Sequence, residues 1–375
     1  MNVFASEFGT VSLRRYPARK DDRLQAYDAA DAYLLADAHS RDLREGAEIL
    51  VVNDGFGALA TPLADRYRVT VLTDSYLSRL AVQQNLSANS VHTAVRFITD
   101  PAELPDVRYD AILIRVPKAL SLLENQLIGL RPRVAPGSYV AAGAMIKHLP
   151  RAAGDLLQKY VGDVQASLGV RKARLLRATP REDPPSLAPV PPATYRIDDP
   201  PLELSNYPGV FARDHLDLGT RALLPHLPSG LGAAEVVDLG CGNGVLGIVS
   251  ALANPDARYT LLDESYAALD SARLNWSRHL PGRGVEVHAA DGLVDAIPES
   301  VDVVICNPPF HQSHVVGDTL AWRMFTQAQQ ALRPGGELYV VGNRHLGYHS
   351  RLRRVFRDVE QLGGTNRFVV LRARR

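Results

Sequence analysis

The chain has 375 residues, 46% of them hydrophobic and 22% charged, with 42 Lys and Arg against 41 Asp and Glu. That length favours two domains, and so even a charge excludes nucleic-acid binding through a global field, leaving only local basic patches. Two cysteines, Cys241 and Cys306, exclude a disulfide framework or a zinc set.

Along the chain, short Val/Ile/Leu runs alternate with longer amphipathic windows, the pattern of strands and helices in a parallel sheet. "AEILVVNDGFGALATPLA" (47–64) reads as strand, glycine-rich turn and helix, and "VTVLTDSYLSRLAVQQNLSAN" (69–89) as strand and helix. "YDAILIRVPK" (109–118) and "APGSYVAAGA" (135–144) supply two more strands. The proline-rich stretch 179–203 sustains neither a helix nor a central strand, so it reads as an extended linker or edge segment. Beyond it the order repeats, with "AEVVDLGCGNGVLGIVSALA" (234–253), "YTLLDESYAALDSARLNWSRH" (259–279), "VDVVICNPPF" (301–310) and "RPGGELYVVGN" (333–343). Tyr76 and Tyr266, like Asn85 and Asn275, stand 190 residues apart, and Asp110 and Asp302 stand 192 apart. The expected architecture is a duplicated α/β chain of two Rossmann-like domains, residues 1–190 and 205–375.

The second copy carries the chemistry. Gly240, Gly242 and Gly244 follow a strand and open a helix, which lets backbone approach a ligand at positive φ. A bare glycine pattern serves many nucleotides, but Asp238 just before it disfavours a diphosphate. A carboxylate there suits a cofactor with a positively charged amino-acid end, such as S-adenosylmethionine. Asp263, at the end of the next strand, is placed to accept ribose hydroxyls, and Asp291 in "VEVHAADGL" is a candidate for the adenine amine. In "NPPF" the prolines fix φ and donate nothing, so the Asn307 amide oxygen and the Pro308 carbonyl form a rigid double acceptor for an exocyclic NH₂. Pro309 completes the rigid pair, and Phe310 is suited to stack on the base that carries the amine. His311 and His314 lack carboxylate or cysteine partners at ligand spacing, so no metal is expected.

Glycine loop, acidic strand end and NPPF in this order resemble the S-adenosylmethionine-dependent N-methyltransferases. "LDLGTRALLPHLP", "VVDLGCGNGVLGI", "ICNPPFHQSH" and "GNRHLGYHSRLRRVF" more narrowly resemble the bacterial ribosomal RNA guanine-N2 methyltransferases, which carry a degenerate copy of the domain before the active one. The N-terminal "LRRYPARKDDRLQAYDAADAYLL" and "NDGFGAL" resemble the large-subunit member more than the small-subunit one. The resemblance implies transfer of a methyl group to guanine N2 in ribosomal RNA, 23S rather than 16S. It also implies cofactor contacts at Asp238, Gly240, Gly242, Asp263 and Asp291, extended to Cys241, Asn243, Gly244, Glu264, Gly292 and Asn307. The segment "VFARDHLDLGT" (210–220) resembles one that closes over the cofactor and adds Asp217, Gly219 and Thr220.

In the first copy Arg115, Val116 and Lys118 stand where Asn307, Pro308 and Phe310 stand in the second, and cations cannot accept from an amine. That half is expected not to methylate; its two cations either dock RNA phosphate or are plain surface charge. Adenine N6 and a protein glutamine amide remain rival substrates for the same pocket. A non-catalytic RNA-binding factor is the rival of a different class. The N-terminal residues lack the apolar core of a secretion signal and no run is long enough to span a bilayer, so a cytoplasmic monomer without membrane contact is expected.

Overall fold

The structure is a computed structural model that describes residues 2–18, 24–182, 188–309 and 314–375. The chain divides into two compact units, Met1–Pro191 and Pro192–Arg375.

The first unit opens with a hairpin, β1 (Asn2–Ser6) and β2 (Gly9–Leu13), and a helix, α1 (Ala29–His39). Then come β3 (Glu48–Val52), α2 (Ala60–Leu63), β4 (Arg68–Leu72), α3 (Tyr76–Ala88), β5 (Arg96–Ile98), β6 (Tyr109–Arg115) and α4 (Leu120–Leu130). β7 (Val134–Met145), α5 (Arg151–Tyr160), β8 (Gly162–Ala166) and β9 (Ala173–Pro180) close it. The seven-stranded sheet runs β5-β4-β3-β6-β7-β9-β8, parallel except where β9 joins β7 and β8 antiparallel.

The second unit repeats this plan. It begins with the hairpin β10 (Ala193–Asp198) and β11 (Pro201–Asn206) and the helix α6 (Leu218–Leu223). β12 (Glu235–Leu239), α7 (Val245–Ala253), β13 (Arg258–Asp263), α8 (Tyr266–His279), β14 (Glu286–Ala289), β15 (Val301–Cys306) and α9 (His314–Ala331) follow. β16 (Leu332–Asn343), α10 (Tyr348–Leu352), β17 (Asp358–Gly364) and β18 (Phe368–Arg374) end the chain. Its sheet runs β14-β13-β12-β15-β16-β18-β17, again parallel except where β18 joins β16 and β17 antiparallel. The two tandem Rossmann-like sheets expected from the sequence are thus built on one topology.

Strand alternation sets the core of the second unit. Val236, Leu261, Val303 and Ile305 pack with Ile248, Leu269 and Trp276 of α7 and α8 on one face. Val237, Leu262, Val304 and Cys306 pack with Met324 and Phe325 of α9 on the other.

The residue pairs that marked the repeat hold equivalent joints. Asp110 accepts from Glu48 N and Asp302 from Glu235 N, both at 2.8 Å, fixing β6 to the start of β3 and β15 to the start of β12. Ser75 and Ser265 cap α3 and α8 just ahead of Tyr76 and Tyr266. Asn85 bonds the backbone of Arg14 through both amide atoms and reaches Phe56 O at 2.7 Å. Asn275 does the same to Ser205 and reaches Asn243 O at 3.0 Å. Each asparagine therefore ties the leading hairpin to the turn after the first sheet strand.

Candidate active site

In each sheet the strand order reverses beside the first strand, and ligands of open α/β folds sit in the crevice outside the strand ends there. In the second unit that crevice lies beyond β12, β13 and β15. Gly240, Gly242 and Gly244 turn the chain at φ of 74°, 54° and 81°, and no atom stands within 4 Å of where a Gly242 Cβ would be. Asp263 ends β13, where its Oδ2 accepts from Gly242 N at 2.9 Å and its Oδ1 from Ser265 N at 3.0 Å. It thereby shapes the glycine turn as well as facing the crevice, and partial burial raises its pKa.

Asp238 is fully buried at the end of β12. Its Oδ2 accepts from Gly247 N at 2.8 Å, while Oδ1 has no hydrogen-bond partner among the described residues. Burial, reinforced by the charge of Asp263, pushes its pKa up to about 7. Asp291 is also buried, and its carboxylate is ion-paired with Arg323 of α9. Sequence reasoning missed Arg323, which no local motif marks. Gly292 follows at φ 63°, with Gln327 of α9 bonding the backbone on either side of it. Glu264 is exposed.

Cys241 and Asn243 offer the crevice only main chain. The Cys241 thiol is buried in the core, which raises its pKa. Asn243 turns its Nδ2 to Tyr195 Oη and Asn206 Oδ1, both at 2.9 Å.

At the tip of β15, Asn307 meets the N-terminus of α6. Asp217 caps that helix by accepting from Thr220 N at 2.9 Å. The Asn307 Nδ2 donates to Asp217 Oδ2 at 2.9 Å and to Thr220 Oγ1 at 2.8 Å. Its Oδ1 is buried and has no hydrogen-bond partner among the described residues. Gly219 is buried within the same turn, Pro308 is buried and Pro309 exposed. Phe310 and His311 lie outside the described residues. Among the described residues no group of three or more His, Cys, Asp or Glu is placed to hold a metal ion, and no helix is long and apolar enough to cross a membrane.

The same crevice of the first unit has been filled with charge. It keeps a cavity of about 450 Å³ lined by Asp28, Asp31, Asn53, Asp54, Arg115 and Lys118, among others. Asn53 adopts φ 61° where the second unit has Gly240, and bonds Gln126 through both of its amide atoms. Asp54 is 1% exposed and accepts from the amides of Gly57, Ala58, Leu59 and Ala60 at 2.8–3.0 Å, with Phe56 N at 3.4 Å. Arg115 corrects the expectation of a phosphate dock. Its guanidinium grips both oxygens of Asp28 and one of Asp31, so its charge is consumed inside the unit. Lys118 remains exposed.

Strand order, glycine turn and acidic strand ends define a Rossmann-like methyltransferase. Residues 1–182 match the RLMG N-terminal domain and residues 201–372 the Methyltransferase small domain. The chain belongs to the ribosomal RNA large subunit methyltransferase G family. It is 57% identical to the protein of that name from Pseudomonas entomophila strain L48, over the whole of both chains. It is 55% identical to that from Stutzerimonas stutzeri strain A1501, over all of this chain and 99% of the other. A solved T. thermophilus 16S rRNA N2 methyltransferase (RsmC), in complex with AdoMet and guanosine, shares the fold. Its TM-score is 0.77 at 21% identity, over 100% of this chain and 97% of that one.

Proposed function

We propose that the second unit transfers a methyl group from S-adenosylmethionine to the exocyclic N2 amine of a guanine in large-subunit ribosomal RNA. The observation that carries the chemistry is the buried Oδ1 of Asn307, which has no partner among the described residues. A buried acceptor left bare is costly unless a ligand supplies the donor. An NH₂ group supplies one hydrogen to that oxygen and the other to the Pro308 carbonyl.

The donor set suits the cofactor. Asp263 would accept the ribose hydroxyls, the orphaned Asp238 Oδ1 provides a negative site for an ammonium group, and the turn at Gly240–Gly244 admits close backbone approach. Asp291 and Gly292 bound the base end, while Asp217 and Thr220 direct their side chains to the cap of α6 and the Asn307 amide, with Gly219 buried in the turn between them. When bound, the cofactor supplies a methyl group activated by a cationic sulfur. Asn307 and Pro308 fix the amine nitrogen for attack, and Phe310 stacks on the base. No side-chain base is required, because the nitrogen becomes acidic only after it has gained the methyl group. Catalysis is then chiefly orientation.

Large-subunit ribosomal RNA is favoured over a glutamine amide by the names of the relatives, and guanine N2 over adenine by the neighbour of like fold, a 16S rRNA N2 methyltransferase solved with guanosine. The first unit, residues 1–190, does not methylate in this reading; it supports the capture of RNA in the cytoplasm. Incubation with tritiated cofactor and large-subunit RNA from a strain lacking the gene, followed by nucleoside analysis, tests it. Label in N2-methylguanosine is expected. Label in N6-methyladenosine, small-subunit RNA or a protein glutamine would replace this reading, and failure to bind cofactor in calorimetry would favour a non-catalytic factor.

A further inference from the structure

We infer that Asp217 and Thr220 are positioning residues that decide which end of the Asn307 carboxamide meets the substrate amine; the inference rests on the methyl transfer proposed above. An amide that orients an amine must present oxygen. Presenting NH₂ would set donor against donor. The two ends of a carboxamide have nearly the same shape, so packing alone does not choose between them. Here the choice is made by chemistry. Asp217 is an acceptor only, so the group facing its Oδ2 at 2.9 Å must be the NH₂. Thr220 Oγ1 takes the second hydrogen at 2.8 Å. Both hydrogens of Nδ2 are then used, and Oδ1 is left bare. A flipped amide would place two oxygens of like partial charge against each other.

The Asp217 carboxylate contributes a second effect. A chain of hydrogen bonds polarises along its length, so an anion behind Nδ2 makes Oδ1 a stronger acceptor as the amine nitrogen gains positive charge.

The first unit supplies independent support. There the tip of β6 reaches the same two positions of the corresponding helix, the cap Asp28 and the third residue Asp31. A guanidinium bridges two carboxylates, whereas the neutral amide of the second unit bridges one carboxylate and one hydroxyl. The joint between strand tip and helix is therefore common to both copies. The second unit holds it with a group that keeps an acceptor free, and its counterpart has none.

Three variants test this: Thr220→Val, which removes the hydroxyl at nearly constant shape, Thr220→Ser, which restores it, and Asp217→Asn, which keeps an acceptor for the cap but removes the charge. We expect kcat to fall by roughly 10–100-fold in Thr220→Val and Asp217→Asn, with cofactor Kd within about threefold of wild type and Thr220→Ser close to wild type. Side-chain amide resonances of Asn307, assigned by their loss in Asn307→Ser, should shift in Thr220→Val and return in Thr220→Ser. Loss of cofactor affinity with kcat preserved at saturating cofactor would make the two residues cofactor contacts and overturn the inference. So would Asn307 resonances indifferent to Thr220→Val. If the wild-type protein methylates another amine, the function proposed above falls alone, because the resonances report on the orientation without turnover.

Discussion

Arg115 faces Asp28 with both terminal nitrogens, 2.7 and 2.8 Å from the two carboxylate oxygens, and its Nη1 stands 2.8 Å from Asp31 as well. A cation so engaged is part of the scaffold. Arg115→Ala would leave two carboxylates facing each other. We expect it to destabilise the first unit by about 2–4 kcal/mol, below the full value of a buried pair because Asp28 is partly solvated. Urea unfolding of the variant checks this.

Lys118 is the cation of that strand end that remains exposed. If it touches phosphate on single-stranded RNA, Lys118→Ala should flatten the slope of log K against log salt by about 0.7. Filter binding across a salt series decides it, and an unchanged slope would mark Lys118 as surface charge.

Asn307→Ala should lower kcat by roughly 10²-fold or more while cofactor affinity stays within a few-fold, since the lost acceptor orients the amine. Single-turnover methylation with calorimetry separates the two. Near-normal turnover would remove Asn307 from the chemistry.

Asp263→Ala should weaken the cofactor by about 1.5–3 kcal/mol, through the lost charged acceptor and the loosened Gly242 turn. The binding stoichiometry should be one per chain, and a value of two would mean that the first unit also binds.

Asp238 makes the second unit sensitive to pH. Its pKa rises from 3.8 to about 7 on folding. Below about pH 4 folded and unfolded chains both hold the proton; between 4 and 7 only the folded chain does, so its contribution to stability is lost as pH rises through that window. In cofactor-free protein, Asp238→Asn should therefore gain on wild type in melting temperature between pH 5 and 8. A constant difference would refute the shift.

Much of this was legible in the sequence, for a physical reason. Buried strands must be apolar, and a duplicated topology repeats its polar joints at nearly constant spacing, so Asn85 and Asn275, or Asp110 and Asp302, could be matched before their bonds were known. What escaped notice depended on three-dimensional meetings. The pairing of Asp291 with Arg323 spans 32 residues and that of Asn307 with Asp217 spans 90. Neither leaves a local pattern. Arg115 was misread because a basic residue replacing a catalytic amide looks like a gain of surface charge, and its partners lie 84 and 87 residues upstream. Asp54 carried a signal that could have been read, an acid just before two glycines at a helix start, where backbone amides collect negative charge.

That acid has a consequence for how the two halves respond to metabolism. With Asp54 seated on the amides of residues 57–60, the first unit satisfies that turn from within its own chain. The second unit has Cys241 at the corresponding position, and if it alone binds the methyl donor, as proposed, it alone gains the ligand stabilisation RT ln(1 + [L]/Kd). On that reading a shortage of methyl donor removes protection from the second unit and leaves the stability of the first unchanged.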